Sequence, residues 1–227
     1  MSKTIFSIER AAQLLAQGLS ETTIVVNEKQ TAQLLDYLAL MAKWNPVYNL
    51  TAIRDTDKMV SHHLLDSLVI LPVLTDWLGG KTAVSVLDVG TGGGLPGVVL
   101  AIMQPDWQVT LVDPVHKKTA FLQQVKAQLA LANMTVVTGK VEDLPSDATY
   151  DIITSRAFAS VIDFVTLSQH VLAANGFFAA MKGVFPQDEM DALNAAFANQ
   201  WQTIFTELTV PQLDAQRHLI QLKRGHA

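Results

Sequence analysis

Between Ala83 and Gly97 the chain places one acid, Asp88, ahead of a glycine series made of Gly90, Gly92, Gly93, Gly94 and Gly97, with Thr91, Leu95 and Pro96 interspersed. The apolar run Val84 to Val89 reads as a buried strand, and the residues from Gly97 to Met103 read as a helix. A strand that delivers glycines to the first turn of a helix lets backbone N–H groups and the positive helix end approach a bound nucleotide cofactor without intervening side chains. Gly92-x-Gly94-x-x-Gly97 satisfies the dinucleotide fingerprint, a pattern that taken alone discriminates weakly.

The surroundings of the glycines discriminate better. Asp88 stands two residues before Gly90, and the resulting Asp-x-Gly-x-Gly-x-Gly resembles the first motif of S-adenosylmethionine-dependent methyltransferases. Trp107 to Val112 reads as the next strand, and Asp113 at its end stands where an acid accepts hydrogen bonds from a ribose diol. Nicotinamide sites share that geometry, so Asp113 supports an adenosine cofactor without choosing between the two.

In a doubly wound sheet ligands lie outside the carboxyl ends of the strands. The loop Gly139 to Asp143 puts Val141 and Glu142 where an adenine is packed and hydrogen-bonded, although an exposed turn is an equal reading of the acids. The loop Ser155 to Ser160 holds Arg156, a cation able to grip a carboxylate or phosphate bidentately, and Phe158, which reads as core. Lys182 ends the fifth strand, able to meet a phosphate or to snorkel. Trp44-Asn45-Pro46-Val47-Tyr48-Asn49-Leu50-Thr51 reads as a loop whose aromatics and amides could hold an unstacked base, or as plain turn chemistry. His62, His63 and Asp66 cannot converge on a metal from one helix, so a helix-face bond between His63 and Asp66 is expected and no metal site is assigned.

These residues need a scaffold, and the chain has material for one. Its 227 residues, 49% of them apolar, fit one compact structural unit, divided here into an N-terminal helical extension (1–80) and a cofactor-binding core (81–227). Leu34, Leu35, Leu38 and Met41 recur at helical spacing, and Met59 to Leu74 shows a second helical pattern broken by Pro72. From Ala83 onward strands and helices alternate: strands Val84–Val89, Gln108–Val112, Thr135–Thr138, Asp151–Thr154 and Gly176–Met181, helices Gly97–Met103, Lys117–Ala132, Val161–Leu172 and Glu189–Ala198. Such alternation predicts an α/β, doubly wound, mostly parallel sheet. Trp201–Val210 and His218–Leu222 follow with only Pro211 to Asp214 as a turn, which predicts a C-terminal antiparallel hairpin and a seven-stranded Rossmann-like outline.

The chain has no cysteine, which excludes disulfides, thiolate metal ligands and cysteine nucleophiles. There is no apolar run of membrane-spanning length, and the first residues turn polar too soon for a secretory signal, so a cytoplasmic protein with no membrane partner is expected. A net charge of -5 argues against general coating of nucleic acid but leaves room for local basic patches: Lys117-Lys118, Lys43 with Arg54 and Lys58, and Arg217-His218 with Lys223-Arg224.

Five blocks then fall in one order: Trp44-Asn45-x-x-Tyr48-Asn49-Leu50-Thr51, His63-x-x-Asp66-Ser67, Asp88 to Gly97, Ser155-Arg156-Ala157-Phe158-Ala159 and Arg217-His218-Leu219. Together they resemble the ribosomal RNA small subunit methyltransferase G (glucose-inhibited division protein B) family. The resemblance implies a class I methyltransferase fold and transfer of a methyl group from S-adenosylmethionine to guanine N7 in the decoding region of 16S ribosomal RNA, within the small subunit. It places Gly90, Leu95, Val141, Glu142 and Arg156 on the cofactor. With the motif residues Asp88, Gly92, Gly94 and Asp113 these form the expected cofactor set, and Arg156 is the expected catalytic, positioning group. Trp44, Asn45, Tyr48, Asn49, Lys182, Arg217 and His218 are the expected acceptor-binding set. His62 stands where the family suggests an arginine-like residue, and Pro114-Val115-His116 where it suggests a serine.

The rival expectations are a methyltransferase of a small molecule or protein, a non-catalytic RNA-binding assembly factor, which would predict a damaged glycine loop, and a nicotinamide oxidoreductase, which the C-terminal hairpin disfavours.

Overall fold

The computed structural model describes residues 6–156, 158, 160–198 and 200–225. Met1 to Ile5, and Ala157 and Ala159 of the Ser-Arg-Ala-Phe-Ala block, lie outside the described residues. Seven strands, β1 (Ser85–Val89), β2 (Gln108–Asp113), β3 (Met134–Thr138), β4 (Tyr150–Arg156), β5 (Leu172–Lys182), β6 (Trp201–Leu208) and β7 (Arg217–Arg224), form one sheet in the order β3-β2-β1-β4-β5-β7-β6. The pairs among β1 to β5 are parallel. The chain then returns so that β7 inserts antiparallel between β5 and β6. The expected doubly wound sheet with its terminal hairpin is therefore formed, and β3-β2 and β4-β5 diverge from β1 at the switch point where such folds bind ligands.

Helices α6 (Gly97–Met103), α7 (His116–Gln128), α8 (Val161–Ser168) and α9 (Gln187–Phe197) follow β1, β2, β4 and β5. Because side chains alternate across a strand, Val86 and Leu87 enter different cores. Val86 joins a cluster with Val98, Leu111 and Phe121 that continues into Leu34, Leu38, Met41, Leu64 and Leu68 of the N-terminal helices. Leu87 joins Ile153, Phe164, Phe178 and Leu222 on the other face. The N-terminal segment is thus packed into the same core as one face of the sheet.

That segment departs most from local expectation. After α1 (Ile8–Ser20), α2 runs from Glu28 to Tyr48 and includes Pro46, so Trp44 to Tyr48 are helical rather than a loop. An Asn27/Gln30 capping box starts α2, and Asn49, at φ 50°, ends it with its N–H on the Asn45 carbonyl. Asparagine tolerates that left-handed conformation better than most residues. Burial of Leu34, Leu38 and Met41 offsets what Pro46 takes from the final turns. The Met59 to Leu74 pattern is not one helix. It comprises α3 (Thr56–Met59), a π-helical turn (Val60–Leu65), α4 (Asp66–Leu68) and α5 (Leu71–Trp77), with Pro72 in the first turn of α5 where its missing N–H costs little. Two other boundaries move: α7 stops at Gln128 rather than Ala132, near Ala130 at φ 51°, and β5 begins at Leu172 after a 3-10 turn (Gln169–Val171).

Candidate active site

The glycine loop is built around Asp88. Its carboxylate is fully buried, and one oxygen, Oδ2, accepts Thr91 Oγ1 at 2.6 Å and the Gly97 N–H at 2.9 Å. The other oxygen, Oδ1, is buried with no partner among the described residues. Burial pushes the Asp88 pKa up to about 6, against the Thr91 and Gly97 bonds that favour the anion. Asp88 therefore holds the cradle closed from beneath. Gly94 sits at φ +100°, and a Cβ there would lie 2.5 Å from Val98 Cγ2 and 2.7 Å from Leu122 Cδ2. Gly90, at φ +64°, is different: a Cβ there would find only Phe158 Cδ2, at 3.9 Å. The space over Gly90 is open, as close backbone approach to a cofactor requires. Tyr37 of α2 donates to the Gly93 carbonyl at 2.6 Å, so the N-terminal segment also braces the loop.

Asp113 ends β2 and is 2% exposed. Its Oδ2 accepts the Gly92 N–H at 3.0 Å and Lys118 Nζ at 3.4 Å, while Oδ1 accepts the Val115 N–H at 2.9 Å. A carboxylate offers about four acceptor directions, three of them taken here, so one remains for a ribose hydroxyl. Leu95 is buried beside the glycines, and after β3 a 3-10 turn (Val141–Asp143) buries Val141 while leaving Glu142 exposed at the sheet's carboxyl edge. The expected cofactor residues are thus gathered along the ends of β1, β2 and β3, with Arg156 at the end of β4.

Arg156 faces a cleft of about 390 Å³ lined also by Thr51, Ile53, His63, Asp66 and Arg217. Here the expected bond between His63 and Asp66 is not formed. The Asp66 carboxylate, 2% exposed, accepts Arg156 Nη1 at 3.1 Å and Arg217 Nε at 2.7 Å. Two guanidinium groups outbid a neutral imidazole because a buried anion is stabilised by charge-assisted bonds. Both His63 ring nitrogens are buried without a partner among the described residues, and burial together with the Arg156 charge pushes the His63 pKa down to about 4. The π-helical turn contributes as well. The Asp66 N–H reaches Ser61 O, five residues back, and the His62 carbonyl accepts Arg156 Nη1 at 2.7 Å.

The expected acceptor-binding residues divide. Arg217 and Lys182 line the cleft, but Lys182 is paired with Glu189 at 2.8 Å, and His218 Nδ1 lies 2.6 Å from the Gly183 carbonyl. Asn45 is 2% exposed and spends its amide on Ile53 O and the Thr51 N–H, which makes it a brace for the cleft wall and corrects its expected place on a base. Trp44, half-buried, packs against Tyr48 and Phe121 with tilted rings and centroids at 4.9 and 5.8 Å. Asn49 is exposed and accepts Arg54 at 3.0 Å. Asp66 and Tyr37 were not expected in the site. Asp66 carried two sequence signals, its place in the His63-x-x-Asp66-Ser67 block and a charge in a largely apolar stretch, which demands a cationic partner once buried.

A family model described as rRNA small subunit methyltransferase G matches residues 30–220. The chain is 50% identical to a protein named ribosomal RNA small subunit methyltransferase G from Burkholderia pseudomallei (strain 668), over 98% of this chain and 95% of the relative. Among solved structures, a SAM-dependent methyltransferase from Aquifex aeolicus is similar at 18% identity with a TM-score of 0.55, covering 70% of this chain and 92% of its own. A human methyltransferase 10 domain containing protein is similar at 16% identity with a TM-score of 0.56, covering 83% and 96%. At such identities the two structures speak for the fold alone.

Proposed function

This chain belongs to the ribosomal RNA small subunit methyltransferase G family, and from that premise we propose that it methylates N7 of one guanine in the decoding region of 16S ribosomal RNA, using S-adenosylmethionine. The observation that carries the reading is a near full-length match at 50% identity in a chain whose glycine loop keeps its open face over Gly90.

The residues fit the cofactor. Gly90 and Gly92 would leave backbone close to it, Asp113 would offer an acceptor to the ribose, and Val141 and Glu142 would take the adenine edge. S-adenosylmethionine, when bound, supplies a sulfonium methyl that is electrophilic without further activation. Guanine N7 carries a lone pair and no proton, so displacement in line with the departing sulfur needs no general base. The protein's contribution is therefore position: the β1 loop from beneath, Arg156 from the end of β4, and the wall of Thr51 and Ile53 held by Asn45. No described helix is long and apolar enough to cross a membrane, and a cytoplasmic enzyme acting on the small ribosomal subunit is the corresponding setting.

The test is transfer of labelled methyl from S-adenosylmethionine to unmodified small subunits and to their stripped RNA, with the nucleoside identified by mass spectrometry. N7-methylguanosine is the expected product. Cofactor binding with no transfer to either acceptor would overturn the rRNA assignment and leave a methyltransferase of another acceptor.

A further inference from the structure

In the sheet, β5 separates β4 from β7, so the backbones that carry Arg156 and Arg217 stand about 10 Å apart. Two guanidinium groups at the same sheet edge repel and would splay apart unless an anion joins them. Asp66 is that anion, and among the described residues it is the one carboxylate that lines the cleft. Each of its oxygens takes one arginine, at 3.1 and 2.7 Å. The His62 carbonyl, beside the π-helical turn's five-residue reach, holds Arg156 from a second side at 2.7 Å. Arg156 spends only Nη1 on these bonds, and Arg217 spends Nε and, on the Gln216 carbonyl, Nη1. Among the described residues Arg156 Nε and Nη2 and Arg217 Nη2 make no bond, so donors remain at a cleft large enough for a polar group. Lys182, also at the cleft, is matched by Glu189, so two guanidinium groups against one carboxylate leave a single net positive charge, the complement of a phosphodiester monoanion.

We propose that Asp66 is a positioning residue for the methyl acceptor: it fixes Arg156 and Arg217 so that their remaining N–H groups bind a backbone phosphate of the RNA beside the target guanine. This rests on the reading of the chain as an rRNA methyltransferase. The chemistry recognised is a single anionic group, which the cofactor's amino-acid carboxylate also presents, and the measurements separate the two sources.

The experiment uses full-length Asp66→Asn, which keeps the side-chain shape and removes the charge. Steady-state kinetics on unmodified small subunits, calorimetric binding of S-adenosylmethionine and a thermal melt are compared with the parent. The expected result is an RNA KM raised about tenfold against a cofactor Kd within about twofold, a split that general loosening of the fold would not produce. An unchanged RNA KM overturns the proposal. So does a cofactor Kd that weakens tenfold while RNA KM holds, since the pair then serves the cofactor carboxylate. Should Asp66→Asn not fold, Arg217→Gln carries the same test: an unchanged RNA KM overturns the proposal, and a raised one with normal cofactor Kd supports it. Failure of the parent chain itself to methylate subunits would overturn the underlying reading as well, and is distinguished by appearing before any substitution.

Discussion

The carboxylate of Asp88 accepts the backbone N–H of Gly97 at 2.9 Å, so the acid that opens the glycine loop is bonded to the glycine that closes it. The eight residues between them are folded back over one buried oxygen, and a Cβ at Gly97 would stand 2.7 Å from that same atom. Replacing Asp88 with Ala leaves the Gly97 N–H and the Thr91 hydroxyl without their acceptor. The expected loss is about 3 kcal/mol of stability by urea denaturation, with cofactor binding weakened beyond what calorimetry resolves. Asp88→Asn, which keeps one acceptor oxygen, should lose about half as much.

Gly94 and Gly90 separate the loop's structural and ligand-facing duties. Gly94→Ala meets Val98 and Leu122 at 2.5 and 2.7 Å and imposes a positive φ, so a loss of about 3 kcal/mol is expected. Gly90→Ala meets nothing nearer than 3.9 Å and should cost about 1 kcal/mol, from its φ alone. Its Cβ projects into the cofactor's space, and S-adenosylmethionine affinity should fall tenfold or more. A Gly90→Ala protein with parental affinity would remove Gly90 from the cofactor site.

The pH dependence of stability has two opposing parts. His63 has a folded pKa of about 4 against an ordinary 6.5, so the unfolded chain takes up that proton first; the resulting stability is present above 6.5 and is lost as pH falls toward 4. Asp88 has a folded pKa of about 6 against an ordinary 3.8, so its contribution is fully present below 3.8 and is lost as pH rises through 6. Between about 4 and 6 the slopes work against each other. Asp88→Asn deletes one of them, and its urea midpoint should drop more steeply than the parent's when pH is lowered across that window. Parallel slopes for the two proteins would contradict the assignment.

Asn45 braces the cleft wall through Ile53 O and the Thr51 N–H, at 3.2 and 2.9 Å. Asn45→Ala should therefore cost about 2 kcal/mol in denaturant titrations and also lower methyl transfer about tenfold through displacement of Thr51 and Ile53. A residue that merely touched RNA would lower transfer with stability unchanged.

The strand-to-glycine-to-helix unit around Asp88 was legible because everything that makes it is local. Apolar residues of β1, glycines able to adopt positive φ and an apolar helix start all lie within one short window, and the chain's own sterics select their conformations. The alternation after Ala83 and the missing helix between the last two strands were legible for the same reason, and they imply the doubly wound sheet. Trp44 to Tyr48 were misread as loop because Pro46 is a strong local signal against a helix, whereas the contacts that keep α2 intact come from the core its inner face joins. Asp66 was misassigned to His63 because three-residue helical spacing made His63 its expected neighbour, and that neighbour is not its partner in space. Its true partners, Arg156 and Arg217, lie 90 and 151 residues away, and they meet it because β7 inserts beside β5 at the same sheet edge. The sequence determined the cradle, the sheet and the cofactor class, since these rest on short-range stereochemistry and periodic burial. Tertiary structure alone decided which charges pair in the cleft, because a buried carboxylate takes the cations that strand order brings to it.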